Sequence, residues 1–143
     1  MFFGKYNHSI DQKGRMRIPA KLRQGLGERF YVMRGTPNCL YIFTEEQFNI
    51  VNAALSSVPL YDVEKQKLVR KITSSANHVE EDNQGRFLLD SELRELINIQ
   101  KDVVFVGAGK KIELWSKENW DKENAVNEED YSESLSLLTD LGI

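Results

Sequence analysis

Two short runs hold the side chains best spaced to do chemistry, Asp11-Gln12-Lys13-Gly14-Arg15 and Asp82-Asn83-Gln84-Gly85-Arg86. Each sets an aspartate four residues before an arginine, with a glycine directly before the arginine. In a tight loop between two strands, the carboxylate can pair with the guanidinium across the turn, and glycine can take the positive φ that such loops need. The pair then either aims the arginine or simply holds the loop. The first run tips toward aiming, because Lys13, Arg15 and Arg17 fall within five residues and only Asp11 opposes them. The second has Arg86 alone among Glu80, Glu81 and Asp82 and is the better candidate for a structural role. An arginine presented this way can bind phosphate, or meet guanine O6 and N7 in the major groove, which admits a two-stranded β-ribbon. Lys13, Arg15, Arg17 and Arg86 are therefore the candidate DNA-binding residues. Asp11, Gly14, Asp82 and Gly85 are the residues that shape the loops.

Other chemistry finds little support. An enzyme needs a nucleophile with its base, a metal cluster or paired carboxylates in a cleft. His8 and His78 precede the two loops at nearly corresponding positions but have no Cys or carboxylate at ligand spacing. Gly107-Ala108-Gly109-Lys110-Lys111 lacks the outer glycine and the hydroxyl residue of a phosphate loop, and reads as a turn between strands. The single cysteine, Cys39, excludes an internal disulfide and suits a reducing compartment. No catalytic residue, metal, cofactor or small-molecule substrate is expected.

Charge is unevenly spread. The net charge of −3 conceals a stretch, residues 1–34, where eight Lys/Arg face Asp11 and Glu28 for a net of +6. Residues 113–143 carry two Lys against nine Asp/Glu, a net of −7. Such asymmetry implies an anion-facing surface at one end and a solvating tail at the other. Three phosphate contacts from Lys13, Arg15 and Arg17 would give a log–log salt slope of about −2.7, a loss of roughly 40-fold between about 50 and 200 mM salt. One protomer would bind DNA weakly, so several loops must act together. No apolar run reaches the ~20 residues of a membrane span, and Met1-Phe2-Phe3-Gly4-Lys5 lacks the pattern of a signal peptide. A cytoplasmic, nucleoid-associated protein is expected.

The elements that position the loops also come in two copies. Sliding the chain by 71 residues lays Asp11, Gly14, Arg15, Leu22 and Arg23 on Asp82, Gly85, Arg86, Leu93 and Arg94. Downstream, Phe30-Tyr31-Val32-Met33 matches Val103-Val104-Phe105-Val106, and Thr44 with Phe48 matches Ser116 with Trp120. One supersecondary unit is used twice, and each copy is too short for a comfortable core of its own. Alternation predicts strands over 6–10 and 15–18 flanking the first loop, with Met16 and Ile18 inward and Arg15 and Arg17 outward. Pro19 suits the first position of a short helix, Ala20 to Gln24. Strands follow over 28–34 and 39–43. Thr44 with Gln47 opens a capped helix bearing Phe48, Val51 and Leu55, and Tyr61 to Ala76 reads as a connecting helix. The second half repeats the plan, with Phe87 and Leu89 inward and Asp90 as a helix cap. The acidic tail has only a weak amphipathic pattern in Tyr131, Leu135 and Leu138.

The opening MFFGKYNHSIDQKGRMRIPAKLR, the echo at Asp82 to Arg86 and the VVFVG…IELW ending resemble the MraZ family over about residues 1–120. That resemblance implies an α+β chain of two pseudo-symmetric AbrB-like half-domains of the swapped-hairpin type, with short helices, packed as one unit. The expected divisions are half-domains at 5–47 and 76–119, a helical connector at 48–75 and an acidic tail at 120–143. It also implies a ring-shaped homo-oligomer that binds double-stranded DNA at G-rich direct repeats upstream of the division and cell-wall gene cluster, usually as a repressor. Asp11 with Arg15, and Asp82 with Arg86, correspond to the family's paired motif. The family's second loop is often followed by Ile-Pro, where this chain has Leu89-Asp90. The alternative is a ring-forming protein-interaction scaffold, in which the basic loops are buried against an acidic neighbouring protomer.

Overall fold

The computed structural model describes residues 1–125 and 127–143. In chain order its strands are β1 (Lys5–Ser9), β2 (Arg15–Arg17), β3 (Phe30–Arg34), β4 (Cys39–Thr44), β5 (Asn77–His78), β6 (Arg86–Leu88), β7 (Asp102–Gly107) and β8 (Ile112–Ser116). The helices are α1 (Ala20–Arg23), α2 (Glu45–Ser56), α3 (Val63–Thr73), α4 (Ser91–Leu96), α5 (Lys117–Glu123) and α6 (Glu128–Asp140).

The repeat becomes a near-symmetric antiparallel sheet in the order β1-β7-β8-β4-β3-β5. Each copy supplies a hairpin, β3-β4 or β7-β8, and the hairpins meet where Tyr41 faces Glu113. Each copy also sends its first strand across to the other. β1 pairs with β7, placing Tyr6 opposite Phe105, and β5 pairs with β3, placing His78 opposite Tyr31. The second strands leave the large sheet and pair only with each other, as the ribbon β2-β6. This exchange gives two short copies one common core, in which Met16, Phe30, Leu40, Phe87, Phe105 and Leu114 are all buried.

Local signals place the helices. Thr44 Oγ1 accepts from Gln47 N at 3.1 Å, and Ser116 Oγ accepts from Asn119 N at 3.1 Å, so both copies cap the helix that follows the hairpin. Phe48 on α2 then stacks on Tyr31 (4.2 Å, 8°), while Trp120 on α5 meets Trp115 edge-on (5.6 Å, 78°). Asp90 caps α4 through Glu92 N.

Three expectations are corrected. The strands around each loop are not paired with each other: the loop reverses the chain, but β1 and β2 join different sheets because each finds its partner in the other copy. The connecting helix begins at Val63, since Asp62 accepts from Lys65 N and starts it there, leaving Tyr61 outside and exposed. Pro19 is the cap residue of α1, with extended ψ of 135°, and the helix proper ends at Arg23. The tail forms a helix, α6, with no buried residue.

Candidate nucleic-acid interface

Both loops close in the same way. Asp11 Oδ1 accepts from the backbone N–H groups of Lys13 and Arg15, each at 2.9 Å, and Oδ2 accepts from Arg15 Nε at 2.9 Å. Asp82 Oδ1 accepts from Gln84 N (2.8 Å) and Arg86 N (3.0 Å), and Oδ2 from Arg86 Nε (3.0 Å). Backbone bonds from Gly14 N to Asp11 O and from Gly85 N to Asp82 O, both 3.0 Å, complete the turns. The glycines sit at φ +82° and +75°, where a Cβ would be strained. Asp11 is held below its ordinary carboxylate range chiefly by the Arg15 backbone N–H, with the Arg15 side chain and Lys13 N–H adding to it and partial dehydration opposing. Asp82 is lowered in the same sense, chiefly by the Arg86 backbone N–H. Each carboxylate thus shapes a loop and orients an arginine together.

The geometry also has a consequence for what the arginines can bind. Each spends Nε on its aspartate, and its terminal nitrogens donate no hydrogen bond among the described residues. Nη1 and Nη2 of each arginine therefore remain available as a fork of donors, the arrangement that matches phosphate or the guanine edge. Among the described residues, Lys13 and Arg17 enter no ion pair.

The ribbon brings the two loops together. Its register sets Arg15 opposite Leu88, Met16 opposite Phe87 and Arg17 opposite Arg86. Because side chains alternate across a strand, Met16 and Phe87 enter the core (2% and 3% exposed), and Arg15, Arg17, Arg86 and Leu88 share the outer face. Arg15, Arg17 and Arg86 line one shallow concavity of about 630 Å³ with Asn7, His8, Asp11 and Asp102. Lys13 stands exposed on the adjoining loop. Cations placed directly across a ladder repel one another, so the Arg17–Arg86 pairing favours an anion above it.

All four candidate cations therefore belong to one ribbon and its first loop, although Arg86 comes from the other copy. Leu88 was missed by sequence reasoning. Its outward position follows from alternation once Phe87 is placed inward, but an exposed leucine gives no signal until Arg15 is known to lie opposite. His8 and His78 pack against Phe105 and Tyr31, and no cluster of three His, Cys, Asp or Glu suited to a metal occurs among the described residues.

The fold and this surface define a class: an intramolecular pair of strand-exchanged repeats presenting one basic two-stranded ribbon. Comparison with known proteins makes it specific. A family model described as "MraZ protein, putative antitoxin-like" matches twice, at residues 1–71 and 72–140. The chain is 41% identical over 143 residues to the transcriptional regulator MraZ of Clostridium tetani, covering all of both chains. It is 40% identical over 141 residues, 99% of each chain, to the transcriptional regulator MraZ of Desulforamulus reducens. This chain belongs to the MraZ family. The relatives' names describe regulators, not catalysts.

Proposed function

We propose that this chain is a DNA-binding transcriptional regulator that reads its operator with the β2-β6 ribbon. Lys13, Arg15, Arg17 and Arg86 contact phosphates and guanine edges, while Asp11, Gly14, Asp82 and Gly85 hold the loops. The observation that carries the reading is Arg17 facing Arg86 on the solvent side of the ribbon, beside an arginine already oriented by Asp11. The naming of its relatives as transcriptional regulators agrees with it.

The same reading includes a ring-like homo-oligomer acting as a repressor on G-rich direct repeats upstream of the division and cell-wall gene cluster, in the cytoplasm and on the nucleoid. Four phosphate contacts give a slope of about −3.6 per protomer, too little for firm binding at cellular salt without avidity. Exposed Ile50, Leu60, Val63 and Leu68 on and beside α2 and α3 offer apolar surface for neighbours. Half-domains at 5–47 and 76–119, a connector at 48–75 and a tail at 120–143 remain the working division.

The test is binding of a labelled duplex bearing several G-rich repeats across a salt series. Wild type and Arg15→Ala are compared at equal oligomeric mass. The variant should lose affinity and about 0.9 of slope per bound protomer. Equal binding by the two proteins would overturn the reading in favour of a protein-interaction scaffold.

A further inference from the structure

Repeat symmetry breaks at one pair of arginines. Arg23 and Arg94 lie 71 residues apart and occupy the same place in the two copies. Arg23 is fully engaged. Its Nε and Nη2 donate to Glu81 at 2.7–3.1 Å, its Nη1 donates to the Gly27 carbonyl at 2.6 Å, and the guanidinium lies 5.1 Å from the Phe30 ring centroid. Arg94 has none of this. The repeat counterpart of Glu81 is Ile10, which is buried in the core, and that of Phe30 is Val103. Arg94 Nε is buried without a hydrogen-bond partner among the described residues.

The Arg94 guanidinium lies instead against the first loop. A Cβ built on Gly14 would stand 2.8 Å from Nη1, whereas one on Gly85 would meet nothing within 4 Å. Arg94 therefore adds a fifth cation beside Lys13 and Arg15. Arg94 lines a second hollow, separate from the Arg15–Arg17–Arg86 concavity, together with Glu80 and Asp90; neither carboxylate forms an ion pair with it, and Asp90 is committed to capping α4. Nε is sealed from solvent, so an anion can be met only by Nη1 and Nη2, which donate no hydrogen bond among the described residues, and a guanidinium matches a phosphate with two parallel donors.

We propose that Arg94 is a phosphate-binding residue, the site for a DNA backbone phosphate next to the one held by the Asp11–Arg15 loop. The inference rests on the DNA-binding reading above. It makes the first loop the stronger anion site of the two, because Arg94 beside it has no carboxylate partner among the described residues while Arg23 is neutralised by Glu81.

The test places Arg94→Gln, Arg94→Lys, Arg23→Gln and Arg15→Ala in one salt series on the same G-rich duplex and on an unrelated duplex, with oligomeric mass and urea unfolding measured for each. Arg94→Gln should lower the slope by about 0.9 per bound protomer and weaken both duplexes alike, because a phosphate contact carries no base information. Arg94→Lys should keep the slope, and Arg23→Gln should lower stability while leaving the slope unchanged. Wild-type slope in Arg94→Gln, with Arg15→Ala impaired, would overturn this proposal alone. Altered oligomeric mass at unchanged slope would also overturn it, assigning Arg94 to a neighbour's carboxylate. Unchanged slope in both variants would overturn the DNA-binding reading itself.

Discussion

Phe87 and Leu88 are chain neighbours on opposite faces of the ribbon, so truncating each should produce opposite effects. Phe87 is 3% exposed and meets Phe30 edge-on, with ring centroids 6.2 Å apart. Removing a fully buried Phe side chain costs about 3–5 kcal/mol, of which roughly 0.5–1.5 kcal/mol belongs to such an aromatic pair. Against a total of about 5–15 kcal/mol for an ordinary domain, Phe87→Ala should still fold but with little margin. With a urea slope near 2 kcal/mol/M, the unfolding midpoint should fall by about 1.5–2.5 M. Leu88 is 65% exposed, so Leu88→Ala should shift the midpoint by less than about 0.3 M, in keeping with a surface change of under ~0.5 kcal/mol. Its effect should appear in DNA binding, where an apolar side chain opposite Arg15 can meet a thymine methyl. Urea titrations followed by tryptophan fluorescence separate the two variants. Equal midpoint losses, or a loss below about 0.5 M for Phe87→Ala, would refute the face assignment.

Three further outcomes follow from the geometry. Asp11 and Asp82 have folded pKa values below the ordinary 3.8. Their stabilisation is thus present above the unfolded value and lost only as pH falls through the lowered folded value. Loop structure, followed by the NMR amide signals of Arg15 and Arg86, should therefore stay constant from pH 8 to pH 5 and fail only in stronger acid. Burial pushes the Cys39 thiol up, with the Thr36 hydroxyl beside it opposing, so at pH 7.5 it should react with a thiol reagent far more slowly than it does in urea. Deleting residues 128–143, whose helix buries nothing, should leave the urea midpoint within about 0.3 M of the full chain's.

Local features of this fold are legible in the sequence, and distant ones are not. Met16 and Phe87 are assigned inward by alternation alone, and Thr44, Ser116 and Asp90 mark their helix starts because a cap acts within three residues. The two Asp–Arg pairs are equally local, four residues apart, and both form. Strand partnership is different. Nothing within Tyr6–Ile10 says whether it will pair with β2, four residues beyond it, or with β7, nearly a hundred residues away. The close partner looks natural from spacing, yet both strands pair across the copies instead, β1 with β7 and β2 with β6. The meeting of Arg17 with Arg86 inherits that blindness, as does the outward place of Leu88. The asymmetry between Arg23 and Arg94 was present in the sequence as Glu81 against Ile10, but it acquires meaning only once the guanidinium is seen against Gly14.

The central claim is that the outer face of the ribbon lies on DNA. The most direct measurement replaces Leu88 with the photo-crosslinking residue p-benzoylphenylalanine and irradiates the intact protein on a labelled duplex of G-rich repeats, with the same crosslinker at Leu60, beside α3, as a control. The account predicts crosslinked DNA from position 88, lost on adding Arg17→Ala at moderate salt, and none from position 60. Crosslinks from position 60 and none from position 88, with the complex formed and the oligomer intact, would contradict it.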